Sequence, residues 1–421
     1  MSELSVLAPD YSSLNPLPLA TRTALLACLS LFLLFSGCAQ RETDIGSGAI
    51  TGQPSDSFVV DTTVVATASA DFHPRVTNGY GPSLEVGDAL GLYAFFAVQF
   101  NLPAGLPDSV QLDTVRLRLR LNHVWPASGV AGLRVRIREI TVPWQEDSIL
   151  VEMLAGRESF PLLDSLRIGT ADSLFYWDVP PLIWQRWLAG DSTSTGLLFE
   201  PIESGSFLEF YSAEPRGTDA TLPPVVQIRG RRWNLVDSVW QDTTLSSDLT
   251  AWEDAYGVLD TTPRRPERFF VTQGMPGRAA LYFPLGSLSS QYRREVNRAE
   301  LHLYADTLDP YAVTYAGQNI LFTHGFLNDT SWIAHPAERD SFHKGYESGT
   351  VGTWDATNTE YTLDVSGAVA DWVANPAHNG GLQIIASDET SFLARQVFYS
   401  QMANDATKHP KLIIWYTETS Y

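Results

Sequence analysis

The last third of the chain restates its middle. Trp177-Asp178-Val179 runs through Trp184 and Trp187 to Gly196-Leu197-Leu198-Phe199, then Phe210-Tyr211-Ser212, then Pro224-Val225-Val226. Thr362-Leu363-Asp364-Val365 runs through Trp372 to Gly381-Leu382-Gln383-Ile384, then Phe398-Tyr399-Ser400, then Pro410-Lys411-Leu412. The offset is 186 residues at the two Asp-Val pairs (178 to 364) and again at the two prolines (224 to 410). A slip of one residue between Trp187 and Trp372 is made up later. Register kept over that distance means two copies of one module.

The pattern inside each copy gives the fold class. Val115-Arg116-Leu117-Arg118-Leu119-Arg120-Leu121 alternates apolar with basic residues, and Leu133-Arg134-Val135-Arg136-Ile137-Arg138 does so again. Such alternation predicts strands with one buried and one wet face. Ala299 to Tyr304 alternates without the arginines, so the first module has a surface that the second lacks. Short strands divided by Gly, Pro and Asp predict an all-β chain of two tandem antiparallel jelly-roll β-sandwich modules. Each module carries one short helix. In the second, Val365, Val369, Trp372 and Val373 form one apolar stripe, with Ser366 as the expected N-cap and Asn375-Pro376 as the stop. In the first, Pro180-Pro181 opens the segment and Ile183, Trp187 and Leu188 make the stripe. The expected boundaries are 58–230 and 231–421, each long enough to bury a core.

Before the modules stands a different kind of segment. Arg22 precedes an apolar run of 12 residues, Ala24 to Phe35, too short to span a bilayer and suited to a signal-peptide core. Phe35-Ser36-Gly37-Cys38 follows, similar to the bacterial lipobox, with Phe35 where Leu is usual. The expectation is a lipoprotein signal peptide over 1–37, a lipid on Cys38, and a flexible tether over 38–57, which is rich in Gly, Ser, Thr, Asp and Pro. Gln40 to Asp44 is loosely similar to surface-export signals of Bacteroidota lipoproteins. The expected location is the bacterial outer membrane or cell surface, with membrane contact through the lipid alone. Cys28 and Cys38 are the two cysteines, so the modules have no disulfide and no thiol chemistry.

Charge and motifs exclude several functions. With 48 acidic against 28 basic residues, the net charge of −20 repels phosphate backbones, so nucleic acid is not an expected partner. The sequence has no G-x-S-x-G elbow, no H-E-x-x-H and no phosphate-cradling glycine loop. No carboxylate spacing singles out a glycosidase pair. His324, His335 and His343, near Asp329, Glu338 and Asp340, read as solvated loop residues rather than a metal site. No enzyme and no cofactor are expected. Structural calcium would fall near Ala305-Asp306-Thr307-Leu308-Asp309 or Asp388-Glu389, and neither stretch supplies enough oxygens unaided.

An ordered set of motifs resembles the DNRLRE domain, a β-sandwich module that includes a carbohydrate-binding family. The set is Asn78-Gly79 with Leu84-Glu85-Val86-Gly87, then Ala280 to Leu285, then Ala299 to Leu303. Asp-Val with a helical Trp, Gly-Leu, Phe-Tyr-Ser and a closing Pro strand complete it. The second copy departs at its start, where Arg268-Phe269-Phe270-Val271-Thr272 replaces the first element. The resemblance implies non-catalytic binding of an extracellular polysaccharide by a cell-surface protein. The alternative is a structural or adhesive subunit, its partners other surface proteins. Sugar binding needs ring faces flanked by polar groups. The candidate rings are Tyr80, Trp125, Trp144, Trp332 and Trp354. The candidate polar groove is Arg116, Arg118, Arg134 and Arg136.

Overall fold

Alternating apolar residues become strands here by burying every second side chain against a facing sheet. The computed structural model describes residues 57–72, 81–100, 110–126, 130–146, 156–171, 173–191, 194–214, 223–236, 239–275, 277–288, 293–313, 322–327, 330–334, 352–387, 389 and 393–419. Cys38 with its signal and tether, Tyr80, Asp329, His335, Glu338, Asp340, His343 and Asp388 lie outside the described residues, as does the side chain of His324.

The unit spanning 57–421 is all-β and antiparallel. It opens with β1 (Ser57–Val65) and β2 (Ala68–Phe72). Then follow β3 (Ser83–Ala89), β4 (Leu92–Gln99), β5 (Val110–Trp125), β6 (Gly132–Ile140), β7 (Leu162–Gly169) and β8 (Leu174–Asp178). After the helix Pro181–Leu188 come β9 (Gly196–Pro201), β10 (Ser206–Tyr211), β11 (Val225–Val236), β12 (Val239–Thr250) and β13 (Glu253–Asp260). The second series is β14 (Arg268–Gln273), β15 (Arg278–Tyr282), β16 (Arg293–Tyr304), β17 (Phe322–Phe326), β18 (Thr353–Asp355) and β19 (Glu360–Asp364). The helix Ser366–Ala374 precedes β20 (Leu382–Ala386), β21 (Ala394–Tyr399) and β22 (Lys411–Thr419).

Strand pairing repeats as the sequence does. β5 pairs with β8 and β11 as β16 pairs with β19 and β22. β9 lies beside β4 and β6 as β20 lies beside β15 and β17. β3 pairs with β10 as β14 pairs with β21. Each series encloses its own core. The first holds Val115, Leu117 and Leu119 of β5 against Leu133, Val135 and Ile137 of β6, with Phe96 stacked on Phe199 at 4.5 Å. The second holds Leu301, Leu363, Ile384, Leu412 and Ile414. Each such side chain contributes roughly 1.5–3 kcal/mol on burial.

The helices behave as lids. Ile183 and Trp187 of the first face inward, as do Ala368, Val369 and Trp372 of the second. Ser366 is not the cap expected of it. Val365 stands at the N-cap, and Ser366 ties the helix to the sheet instead, accepting from the Ala299 N–H (2.9 Å) and donating to Asp364 Oδ1 (2.6 Å).

The expected module boundary at 230 needs correction. β12 and β13 follow the first module, and both pair within it, on β11 and β4. β1 and β2, the first strands of the unit, pair instead on β22 and β15 of the second module. The first sandwich is therefore the continuous stretch 81–260, and the second is 268–419 completed by 57–72. The two pairs are structural equivalents. Ala66 N–H donates to Pro410 O (2.9 Å) as Ala251 N–H donates to Pro224 O (3.0 Å), and Pro410 follows Pro224 by the repeat offset. Sequence alternation cannot distinguish the two arrangements, because a closing strand shows the same pattern in either slot.

Candidate functional site

Two of the expected ring platforms are core residues. Trp332 is 1% exposed and donates its Nε1–H to Gly380 O at 2.8 Å. Trp144 is 8% exposed and donates to Thr195 O at 3.0 Å. A buried indole with its N–H satisfied is a packing element, so neither can stack on a sugar. Trp125 and Trp354 are half-buried, the first against Phe207 (centroids 5.9 Å) and the second against Tyr361 (4.5 Å). They end β5 and lie on β18, strands of different sheets, and each packs against the core of the second sandwich.

The four arginines do not share a groove either. β5 and β6 bury their apolar residues in the same core, so their arginine rows point to opposite outer faces. On the β6 side, structural ion pairs occupy the surface around Arg134 and Arg136. Glu200 takes Arg138 (2.6 Å) and Arg157 (2.8 Å), while Arg167 pairs with Glu203 (2.9 Å). Arg157 also lies over the Tyr93 ring at 5.6 Å. Burial and the Glu200 charge push the Tyr93 hydroxyl up to about 12.

The β5 side carries the more exposed groups, Arg116 and Asp178 among them. Its strand order β12-β11-β5, with β8 on the other side of β5, aligns side chains in rows. Thr250, Val225, Arg118 and Tyr176 stand in one row; Asp248, Gln227, Arg116 and Asp178 stand in the next. Trp177 and Leu117 take the inward positions, which leaves Tyr176 outward and 47% exposed. Arg116 Nε donates to Asp178 Oδ1 at 2.6 Å, both side chains well exposed. Gln227 Nε2 and Arg229 Nη1 donate to Asp248 at 3.2 and 3.1 Å. Partial burial pushes the Asp248 carboxyl up, but those two donors and the nearby Arg118 outweigh it and hold the group below its ordinary value. An aromatic ring thus lies on a sheet face among guanidinium, amide and carboxylate groups, with Val225 buried between them. In the second sandwich the matching rows read Val65, Lys411, His302, Thr362 and Thr63, Ile413, Glu300, Asp364. Tyr176 and both arginines have no like counterpart there.

Tyr176 was legible but not singled out from sequence. Its signal is parity: in Leu174-Phe175-Tyr176-Trp177-Asp178, Trp177 precedes the repeated Asp-Val and so faces the core, which turns Tyr176 outward.

Where the two cores meet, carboxylates are buried. Glu85 and Glu209 stand opposite each other on β3 and β10, 0% and 2% exposed. Asn122 Nδ2 donates to Glu209 at 2.7 Å, His123 Nδ1 lies 3.3 Å from its other oxygen, and the Leu393 N–H donates to Glu85 at 3.1 Å. Burial pushes Glu209 up to about 7, and burial with the Glu209 charge pushes Glu85 well above the usual carboxylate range. Nearby, the fully buried Arg395 reaches Asp260 (3.2 Å), Thr262 Oγ1 (2.5 Å) and Tyr311 O (2.9 Å), and donates also to Leu90 O. These contacts bind the two sandwiches together.

The calcium candidates are already neutralised. Asp306 pairs with Arg268 (2.8 Å), Asp309 with Arg265 (2.6 Å) and Glu389 with Arg278 (2.6 Å). Among the described residues no group of three or more His, Cys, Asp or Glu side chains could hold a metal ion.

The sequence matches no family model and no curated protein. Among solved structures it is similar to a chain described as BspA_C_WT, at 10% identity over 85% of this chain and 91% of that one, with a TM-score of 0.15. It is also similar to the Macrobrachium rosenbergii nodavirus structure, at 7% identity, 99% coverage of both chains and a TM-score of 0.12. Overlaps this slight assign neither fold nor function.

Proposed function

We propose that the chain is a lipid-anchored cell-surface protein whose first sandwich binds an extracellular polysaccharide without catalysis. The observation that carries the reading is the outer face of β5, β8, β11 and β12, with Tyr176 exposed in row with Arg118 and beside Arg116, Asp178, Gln227 and Asp248. A ring face packs on the C–H side of a sugar, and fixed donors and acceptors beside it read the hydroxyls. Because the donors are held by partners on neighbouring strands, little side-chain freedom is lost on binding. The DNRLRE-like motif order supports the same reading, and the lipobox-like Phe35-Ser36-Gly37-Cys38 supports attachment through Cys38.

Affinity electrophoresis against a panel of neutral and acidic polysaccharides tests the binding. Retardation by at least one glycan, lost in Tyr176→Ala and kept in Trp354→Ala, is the expected result. Retardation that survives Tyr176→Ala refutes this face as the site, and indifference to the whole panel refutes the function. Mass spectrometry of the membrane fraction tests the anchor: an unmodified Cys38 within an intact leader refutes it.

A further inference from the structure

The sandwich closed by β12–β13 and the sandwich closed by β1–β2 use the same slot. Thr67 N–H donates to Tyr282 O (2.9 Å) where Trp252 N–H donates to Gln99 O (2.7 Å), and the alanine contacts before them also match. Each closing pair leads, in sequence, into the other sandwich: β12–β13 leads into β14, and β1–β2 leads into β3. The rule is that a sandwich is closed by the leader of the next one. Applied within one chain, the second sandwich must turn back to the leader of the first. Applied between chains, it takes the leader of another copy.

The two pairs differ in how firmly they are held. β13 buries Asp254, Ala255 and Tyr256, and the Tyr256 hydroxyl donates to Gly274 O. Among the described side chains of β1 and β2 only Phe72 is buried, with Ala66 buried in the link between them. Backbone ladders run along both strands, nine residue pairs of β1 on β22 from Ser57↔Thr419 to Val65↔Lys411 and five of β2 on β15, with Val60 and Val64 packed on the core and Arg264 on Asp71 at 2.7 Å. Backbone ladders carry little sequence preference and form equally well with the same strand from a second molecule. Among the described strands β1 is the edge of its sheet, as β12 is of the other, and pairs with β22.

We propose that β1–β2 is an exchangeable closing pair, and that β1–β2 of a second copy of this chain completes the second sandwich, linking copies head to tail. Exchange of this kind preserves every native contact in the slot and is a low-cost route to assembly. Closure within one chain acts at an effective concentration on the order of millimolar, so linkage grows where copies are crowded. The linkage is independent of glycan binding at the Tyr176 face.

Thr63 and Ile413 face each other across β1 and β22 and provide the test. In a Cys28→Ser, Cys38→Ser background, chains carrying Thr63→Cys and differently tagged chains carrying Ile413→Cys are mixed at high concentration. They are loosened in mild urea, diluted and oxidised. The expected product is a disulfide-linked heterodimer on a non-reducing gel, absent when Thr63→Cys chains are mixed with differently tagged chains that keep Ile413. Its yield rises with chain concentration. A single chain carrying both substitutions closes an internal disulfide, which proves that the sites pair. Heterodimer absent while that internal disulfide forms overturns the proposal. So does failure of the internal disulfide, or its formation between Thr63→Cys and Gln227→Cys, the matching position on β11, because β1 would then close its own sandwich.

Discussion

Replacing Glu209 by glutamine should flatten the dependence of stability on pH. Glu209 is 2% exposed, so solvent screening does not diminish the effect of its burial. Its carboxyl is pushed from an ordinary 4.5 up to about 7 by that burial, against the opposing hydrogen bond from Asn122. The folded protein therefore keeps this proton to a higher pH than the unfolded chain does. The contribution to stability is complete below about pH 4.5 and is lost as pH rises through about 7. At about 1.4 kcal/mol per pKa unit, the full loss attributable to the site is about 3 kcal/mol. Glu85 titrates together with Glu209, so the fall belongs to the pair rather than to either residue alone. Glutamine keeps the shape and an acceptor for Asn122 but carries no charge at any pH. Urea midpoints taken from pH 5 to pH 8 should fall steeply for the wild type and much less for Glu209→Gln, whose stability should exceed the wild type's above pH 7. Parallel curves for the two proteins would refute the buried-pair reasoning.

Other substitutions separate packing from binding. Tyr176→Ala should abolish polysaccharide retardation while changing the unfolding free energy from urea titration by no more than about 0.5 kcal/mol, since the ring is largely outside the core. Trp332→Ala should cost about 3–5 kcal/mol and leave retardation unchanged, as read by melting and electrophoresis on the same sample. Arg395→Met removes the buried guanidinium that reaches Asp260, Thr262, Tyr311 O and Leu90 O across the two sandwiches, and should cost about 3–5 kcal/mol and let the two sandwiches unfold in separate steps by calorimetry. Gly381→Ala forces a side chain onto a residue at φ +105°, with its Cβ 2.6 Å from Leu281 O, and should cost at least about 1 kcal/mol in urea.

Duplication and strand content were legible because both rest on periodic burial. Leu117, Leu119, Val135 and Ile137 face inward wherever their strands pair, so alternation alone predicts their fate. The helical stripes were legible for the same reason at a different period. Strand exchange was not, because β1 and β12 present the same alternation to the same slot and differ only in which copy they enter. Ring exposure was not legible, because a tryptophan's sequence neighbours do not say which way its ring turns. Trp144 and Trp332 fold inward, each finding a backbone carbonyl for its N–H. The shared groove failed on geometry that spacing cannot express: two strands with identical patterns, facing each other across one core, aim their arginines apart.

The pairing of Ser57 with Thr419 also dictates an order of events during synthesis. Residues 81–260 hold all the described strands of one sandwich and can collapse as soon as they leave the ribosome. The strands made just before them have no such option. Their partner is translated last among the described strands, a delay on the order of tens of seconds at roughly 5–20 residues per second. Throughout that interval the nascent molecule exposes a bare pair of strands at one end and an unfinished sandwich at the other, which is the state a holding chaperone would have to shelter.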